Sequence, residues 1–172
     1  EEAALFRRNT LGFVFQDFNL VETLTVRENI MLPLMFKNEG IKSMKEKSEK
    51  VAKSLGILHI LNKRTQEISG GQAQRTAIAR AIVHQPELLL ADEPTGNLDS
   101  ANSEEVMKIF ENLNRNYGMS TFLVTHDVET ATYSQRVIFI KDGKIYNEIR
   151  KGNNLIEYRE NILNVLSVIR GV

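Results

Sequence analysis

An α/β fold built on a parallel sheet is what this sequence predicts, and three observations carry that prediction. Residues 88–91, Leu88-Leu89-Leu90-Ala91, form a continuous apolar run between Pro86 and Pro94, as in a strand buried on both faces. Residues 121–125, Thr121-Phe122-Leu123-Val124-Thr125, read as a second buried strand. Between the two, Val106, Ile109, Phe110 and Leu113 recur at helical spacing, so strand, helix and strand alternate. With 172 residues, 42% of them hydrophobic, the chain can form one globular domain with a real core.

Taken in order, the elements begin with Phe13-Val14-Phe15, a short apolar strand running into Gln16. Thr25 is placed to cap a helix, and Glu28, three residues on, completes a capping box. Gly40 interrupts. Helical period returns over residues 43–55, with Met44, Val51, Ala52 and Leu55 as the apolar stripe and Gly56 as the terminating glycine. A further helix follows Ser69, carries Ala73, Ala77, Ile78, Ala81 and Ile82 on one face, and stops before Pro86. The helix-rich stretch 19–85 therefore interrupts the alternation as an inserted subdomain. Residues 137–140 and 144–149, joined by Asp142-Gly143, read as a hairpin. The tail beyond Gly152, with Ile162, Leu163, Leu166 and Ile169, reads as an amphipathic helix.

Composition narrows the classes. Lys plus Arg and Asp plus Glu number 22 each, so global charge gives no argument for nucleic acid or an anionic membrane surface. Cysteine is absent, which excludes disulfides and thiolate metal sites and fits a reducing compartment. Apolar runs of four or five residues are far too short to span a membrane. The first residue is Glu1 rather than Met, and no secretory signal is visible, so the chain is expected to be the C-terminal part of something longer.

Asp92 and Glu93 end the first buried strand. At the carboxyl edge of a parallel sheet, adjacent acids can place one carboxylate on a metal and the next on a reacting water. The alternative is a strand capped by a solvated turn. Ser69-Gly70-Gly71-Gln72 opens a helix, where glycines let a ligand approach the backbone and unpaired N–H groups suit an anion. Alone, that tetrapeptide reads equally as a helix cap. His126 follows the second strand, and a single histidine there is ordinary. Gln16 is likewise unremarkable in isolation, and Asp99 reads first as an N-cap.

Together, in this order and spacing, the segments over residues 11–148 resemble the ATP-binding cassette (ABC) ATPases. The resemblance implies a P-loop NTPase fold of the ABC type with an inserted α-helical subdomain. Ser69, Gly70, Gly71 and Gln72 would be the signature that holds nucleotide from outside. Asp92 would be the Walker B acid on Mg²⁺, Glu93 the general base, Gln16 the Q-loop residue reaching Mg²⁺ and the attacking water, and His126 the switch histidine on the γ-phosphate. Asn97-Leu98-Asp99 resembles the D-loop, with Asp99 communicating between two active sites. The stretch 90–99 is similar to the class serving lipoprotein release, macrolide export and antimicrobial-peptide resistance. Residues 141–148 and the tail most resemble bacitracin-type antimicrobial-peptide transporters of low-GC Gram-positive bacteria.

Ile68 stands where Leu is common in this family, and Ala73 where Gln is frequent. A larger departure is that no G-x-x-x-x-G-K-[ST] loop occurs, so the lysine and nest of amides that anchor the phosphates are missing. The parent is thus expected to hydrolyse ATP with Mg²⁺, and this chain by itself to be inactive. The resemblance divides the chain into 1–16 (end of a core strand and Q-loop), 17–85 (helical subdomain with signature), 86–150 (core portion with Walker B, D-loop and switch histidine) and 151–172 (tail). It implies a second cassette, as a homodimer, and a separate membrane permease as partners. Nucleic acid is not among them, and the implied place is cytoplasmic, on the inner face of the membrane. The alternatives are an ABC-type ATPase of lipoprotein release or cell division, or a non-catalytic binding module lacking the phosphate loop.

Overall fold

The computed structural model describes residues 2–37 and 39–170. Its internal contacts divide the chain between Val124 and Thr125 into two units. The first opens with α1 (Glu2–Thr10), which buries no residue, and runs straight into β1 (Leu11–Phe15). Then come α2 (Val26–Met35), α3 (Ile41–Ser54), 3-10 turns at Leu58–Ile60 and Thr65–Glu67, and α4 (Gly70–Ile82). β2 (Leu88–Asp92), α5 (Ser100–Tyr117) and β3 (Ser120–Val124) complete the unit. The expected α/β alternation with a helical insert between β1 and β2 is therefore present.

The three strands form a parallel sheet in the order β1-β2-β3. Their register aligns Phe15, Asp92 and Val124 at one end, the carboxyl edge. Side chains alternate across the sheet. Val14, Leu89 and Ala91 are buried on the face toward α4. Gly12 shares that face because a Cβ there would lie 2.5 Å from the Ala81 carbonyl oxygen of α4. On the other face Leu88 and Leu90 are half-buried, and Phe15, Phe122 and Val124 are exposed. Expectation and structure differ here, since neither β2 nor β3 is buried on both faces. Helices α4 and α5 pack on β1 and β3, and among the described residues β3 is an edge strand.

The helical insert follows its local signals. The Thr25 backbone N–H donates to Glu28 Oε2 at 2.8 Å and the Glu28 N–H donates to Thr25 Oγ1 at 3.2 Å, closing the capping box. Gly56 adopts φ +69° beyond α3, as a terminating glycine does. Val26, Ile30, Leu34, Ala52, Ile57 and Ile78 are fully buried and tie α2, α3 and α4 together. Asn29 is also fully buried and satisfied by the loop ahead of its helix. Its Nδ2 donates to the carbonyls of Val21 (3.1 Å) and Thr25 (3.0 Å), and its Oδ1 accepts from the Val21 N–H (2.8 Å).

The second unit holds α6 (Val128–Thr132), the antiparallel pair β4 (Arg136–Lys141) and β5 (Lys144–Arg150), and α7 (Leu155–Arg170). Asp142 and Gly143 both take positive φ, 51° and 73°, the turn that matches strand twist in a two-residue hairpin. Ala131, Phe139, Tyr158 and Ile162 form its core. The Tyr158 hydroxyl donates to the Ser134 carbonyl at 3.0 Å, so the buried phenol is satisfied. Of the expected apolar stripe on the tail, Ile162, Leu166 and Ile169 pack inward, while Leu163, one residue and about 100° around the helix from Ile162, faces outward. Among the described residues no helix is long and apolar enough to cross a membrane.

Candidate functional site

The carboxyl edge of the sheet carries two of the expected residues of the first unit, Gln16 just after β1 and Asp92 at the end of β2, with Glu93 following. Asp92 is exposed there. Glu93 sits at φ +44°, a left-handed conformation that costs a non-glycine residue about 1–3 kcal/mol and concentrates at functional sites. Its backbone N–H donates to the Val124 carbonyl at 2.9 Å, and its carbonyl accepts from Gly96 at 3.0 Å. The turn after β2 is thus held at both ends, which fixes where the Glu93 side chain departs.

Ser69 and Asp99 cap two helices whose starts lie side by side. The Ser69 hydroxyl accepts from the Gln72 N–H at 3.3 Å, and Gln72 Oε1 accepts from the Ser69 N–H at 3.1 Å. Gln72 therefore serves the cap of its own helix, a capping box that the sequence reading did not assign. Asp99 accepts from the Asn102 N–H at 2.8 Å and from Asn102 Nδ2 at 2.7 Å. Those two bonds, the backbone one first, hold its carboxyl below the usual carboxylate range. The helix starts meet where Gly71 lies against Asn102, since a Cβ at Gly71 would fall 2.0 Å from Asn102 Oδ1. The ion pair of Arg75 with Glu105 joins α4 to α5 further along.

Gln16 is tied to the loop beyond β2. Its Nε2 donates to Asn97 Oδ1 at 3.3 Å, and Asn97 Nδ2 donates back to the Gln16 carbonyl at 3.2 Å and to Asp17 Oδ1 at 2.9 Å. Gly96 lies beneath the same amide, 2.8 Å from Gln16 Nε2 at the position of a Cβ. The structure therefore gathers Gln16, Asp92, Glu93, Asp99 and the segment Ser69, Gly70, Gly71 and Gln72 within one unit. His126 belongs to the other unit, exposed, one residue ahead of Asp127, which caps α6 by accepting from the Thr130 N–H at 2.8 Å.

The residues present fit a nucleotide's phosphates and a hard cation in part. Ser69 and Gly70 are exposed at a helix start, so an anion can reach the first amides of α4. Among the described residues no three His, Asp or Glu side chains stand close enough to cage a metal. Mg²⁺ needs no cage, because it keeps waters and takes one or two carboxylates with substrate phosphates. An exposed Asp92 at the sheet edge suits that role.

Sequence reasoning missed several supporting residues. Gln74 is fully buried and donates from Nε2 to the Pro94 carbonyl at 2.5 Å, binding α4 to the turn after Glu93. Its spacing from Ala77, Ile78 and Ala81 places it on the buried face, a signal that was available. Asn102, three residues after the Asp99 cap, was likewise legible as a partner. Arg80 carries no such local signal, and Asn97, read as part of the D-loop, carries none for its bonds to Gln16 and Asp17.

Comparison with known proteins points the same way. The family model described as ABC transporter matches residues 2–96. The ABC transporter ATP-binding protein YxdL of Bacillus subtilis is 56% identical over 168 residues, covering 98% of this chain and 65% of YxdL. The bacitracin export ATP-binding protein BceA of Halalkalibacterium halodurans is 44% identical over 173 residues, covering 100% of this chain and 68% of BceA. Among solved structures, the cassette MJ0796, in a dimeric post-hydrolysis state bound to ADP and Pi, superposes with a TM-score of 0.78 at 38% identity, covering 88% of this chain and 67% of that one. The chain thus spans about two thirds of the length of such relatives. With its parallel sheet, helical insert and paired helix starts, this chain belongs to the ABC transporter family, as part of an ATP-binding cassette.

Proposed function

We propose that the chain is the larger part of an ATP-hydrolysing subunit that powers a separate membrane permease, in antimicrobial-peptide export or resistance of the bacitracin type. The observation that carries this reading is the carboxyl edge of the sheet, where Gln16, Asp92 and Glu93 follow strands held in register beside the capped start of α4. The relatives' similarity supports the choice of class. The 1–16, 17–85, 86–150 and 151–172 segments then act as strand end with Q-loop, helical subdomain, catalytic core portion and tail. The subunit works in the cytoplasm, on the inner face of the membrane, through that permease.

Asp92 and Gln16 are the residues that would hold Mg²⁺, which when bound would supply charge neutralisation at the phosphates. Glu93 orients the attacking water and accepts its proton. His126 contacts the γ-phosphate. Ser69, Gly70 and Gly71 donate to the γ-phosphate of nucleotide held by a second copy, so closure of the homodimer depends on bound ATP. Gln72 keeps the Ser69 backbone in place for that contact, and Asp99 carries communication between the two sites. Lacking the glycine-rich lysine loop, the 172-residue chain alone turns over no ATP.

The test uses the full-length parent. Glu93→Gln should retain ATP binding and slow turnover by about 10²-fold or more. Near-normal turnover removes Glu93 from the base role. Changing Ser69 to Ala should abolish ATP-driven dimerisation on sizing in the Glu93→Gln background, and unaltered dimerisation rejects the signature assignment.

A further inference from the structure

The segment that follows β1, residues 16–19, is gripped from two sides, by Asn97, which the resemblance puts in the D-loop, and by Arg80, which has no assigned role. On the sheet side, the Asn97 amide uses its donors and its acceptor on this segment: the Gln16 side chain, the Gln16 carbonyl and the Asp17 carboxylate. On the helical side, Arg80 of α4 donates from Nη1 to the Asn19 carbonyl at 2.5 Å and from Nη2 to the Phe18 carbonyl at 2.9 Å. Phe18 and Asn19 both hold positive φ, 60° and 48°. Two consecutive left-handed non-glycine residues are strained and persist only where the surroundings over-determine them. Arg80 supplies that determination, since its planar fork matches two neighbouring carbonyls as a single ammonium would not.

We propose that Asn97 and Arg80 are positioning residues for Gln16, Asn97 fixing its amide from the sheet edge and Arg80 fixing the following turn from the signature helix. The inference rests on the reading of Gln16 given above. Arg80 sits in the same rigid helix as Ser69, Gly70 and Gly71, so displacement of that helix start pulls on the Phe18–Asn19 carbonyls. The pull reaches Gln16 two residues away, while Asn97 resists it. Gln16 is thereby placed only when the signature helix and the loop after Glu93 hold the arrangement in which Arg80 and Asn97 both reach residues 16–19. Asn97 is exposed, so its bonds contribute little to stability, and their orderly use is better accounted for by placement.

The experiment compares full-length wild type with N97A, N97D, the swap N97D/D17N, and R80K, measuring kcat, KM for ATP and melting temperature. N97A and N97D should lower kcat about tenfold or more, with KM within about threefold and little change in melting temperature. N97D keeps an acceptor for Gln16 but sets two carboxylates together. The swap restores a donor opposite an acceptor between positions 17 and 97, and should recover at least about threefold in kcat over N97D. R80K, which can reach one carbonyl at a time, should lower kcat with KM held. Wild-type kcat in N97A and R80K overturns the proposal, as does a swap no better than N97D. A wild-type protein without ATPase activity sinks the underlying reading instead, and the inference with it.

Discussion

Replacing Gly71 with Ala tests the contact between the two helix starts. A Cβ at that position would lie 2.0 Å from Asn102 Oδ1 and 2.7 Å from Asn102 Cγ, far inside van der Waals contact. Asn102 must therefore swing away, which breaks its 2.7 Å bond to Asp99 Oδ2. Overpacking of this kind costs about 1–3 kcal/mol. Working against it, Ala is favoured over Gly within a helix by up to about 1 kcal/mol. The net expectation for G71A is a loss of about 1–2 kcal/mol, or roughly 2–8 °C in melting temperature for a chain of this size. In an N102A background the oxygen and Cγ are gone, and only a 3.3 Å contact with Cβ remains, which small shifts relieve. There G71A should be neutral or stabilising by a few tenths of a kcal/mol. Urea unfolding of wild type, the two single variants and the double variant reads this as a change of sign. Equal destabilisation by G71A in both backgrounds would refute the contact between α4 and α5 at this point.

Two further expectations follow from buried polar groups. Asn29→Ala removes the acceptor of the Val21 N–H, while the Val21 carbonyl keeps the Leu24 N–H at 3.1 Å, and unfolding in urea should show a loss of about 1–3 kcal/mol; a loss below about 0.5 kcal/mol would mean that the loop 21–25 rearranges freely. His84 is held below its usual pKa by burial, with the nearby Lys37 charge adding to the effect and a bond from Nε2 to the Leu11 carbonyl (3.2 Å) opposing it. With the folded value depressed, the unfolded chain binds the extra proton, so stability present above about pH 6.5 is lost as pH falls through that value. His84→Gln should flatten this part of the melting-temperature profile between pH 8 and 5.5. A profile that steepens instead would overturn the assignment.

Much of the fold was legible because local signals and tertiary structure agree. The Thr25 and Glu28 box, Gly56 and the stop before Pro86 each sit where their chemistry requires. The strands were legible as strands, but their burial was not. Apolarity of Phe122 and Val124 measures what a residue prefers, whereas exposure depends on which other elements arrive to cover it. The site divides in the same manner. Motif spacing singled out Gln16, Asp92, Glu93 and the Ser69–Gln72 segment as candidates, and each lies at the end of a strand or the start of a helix. Asn97 and Arg80 act across 80 and 61 positions of chain, on Asp17 and Asn19, and no periodicity reports contacts of that range. The left-handed Glu93 was also beyond reach, since the residue before a proline is ordinarily extended.

The half-covered face of the sheet has a practical consequence for handling this polypeptide. Phe122 and Val124 stand exposed on β3, whose outer rim is open among the described residues, and Phe15 is exposed on β1 of the same sheet, a geometry that templates self-association. Concentrated preparations of the 172-residue piece should precipitate before they melt. A lysine at Phe122 should raise solubility while leaving the helical insert untouched, giving a soluble reagent for binding work without altering Phe15, Asp92 or Val124 at the sheet's carboxyl edge.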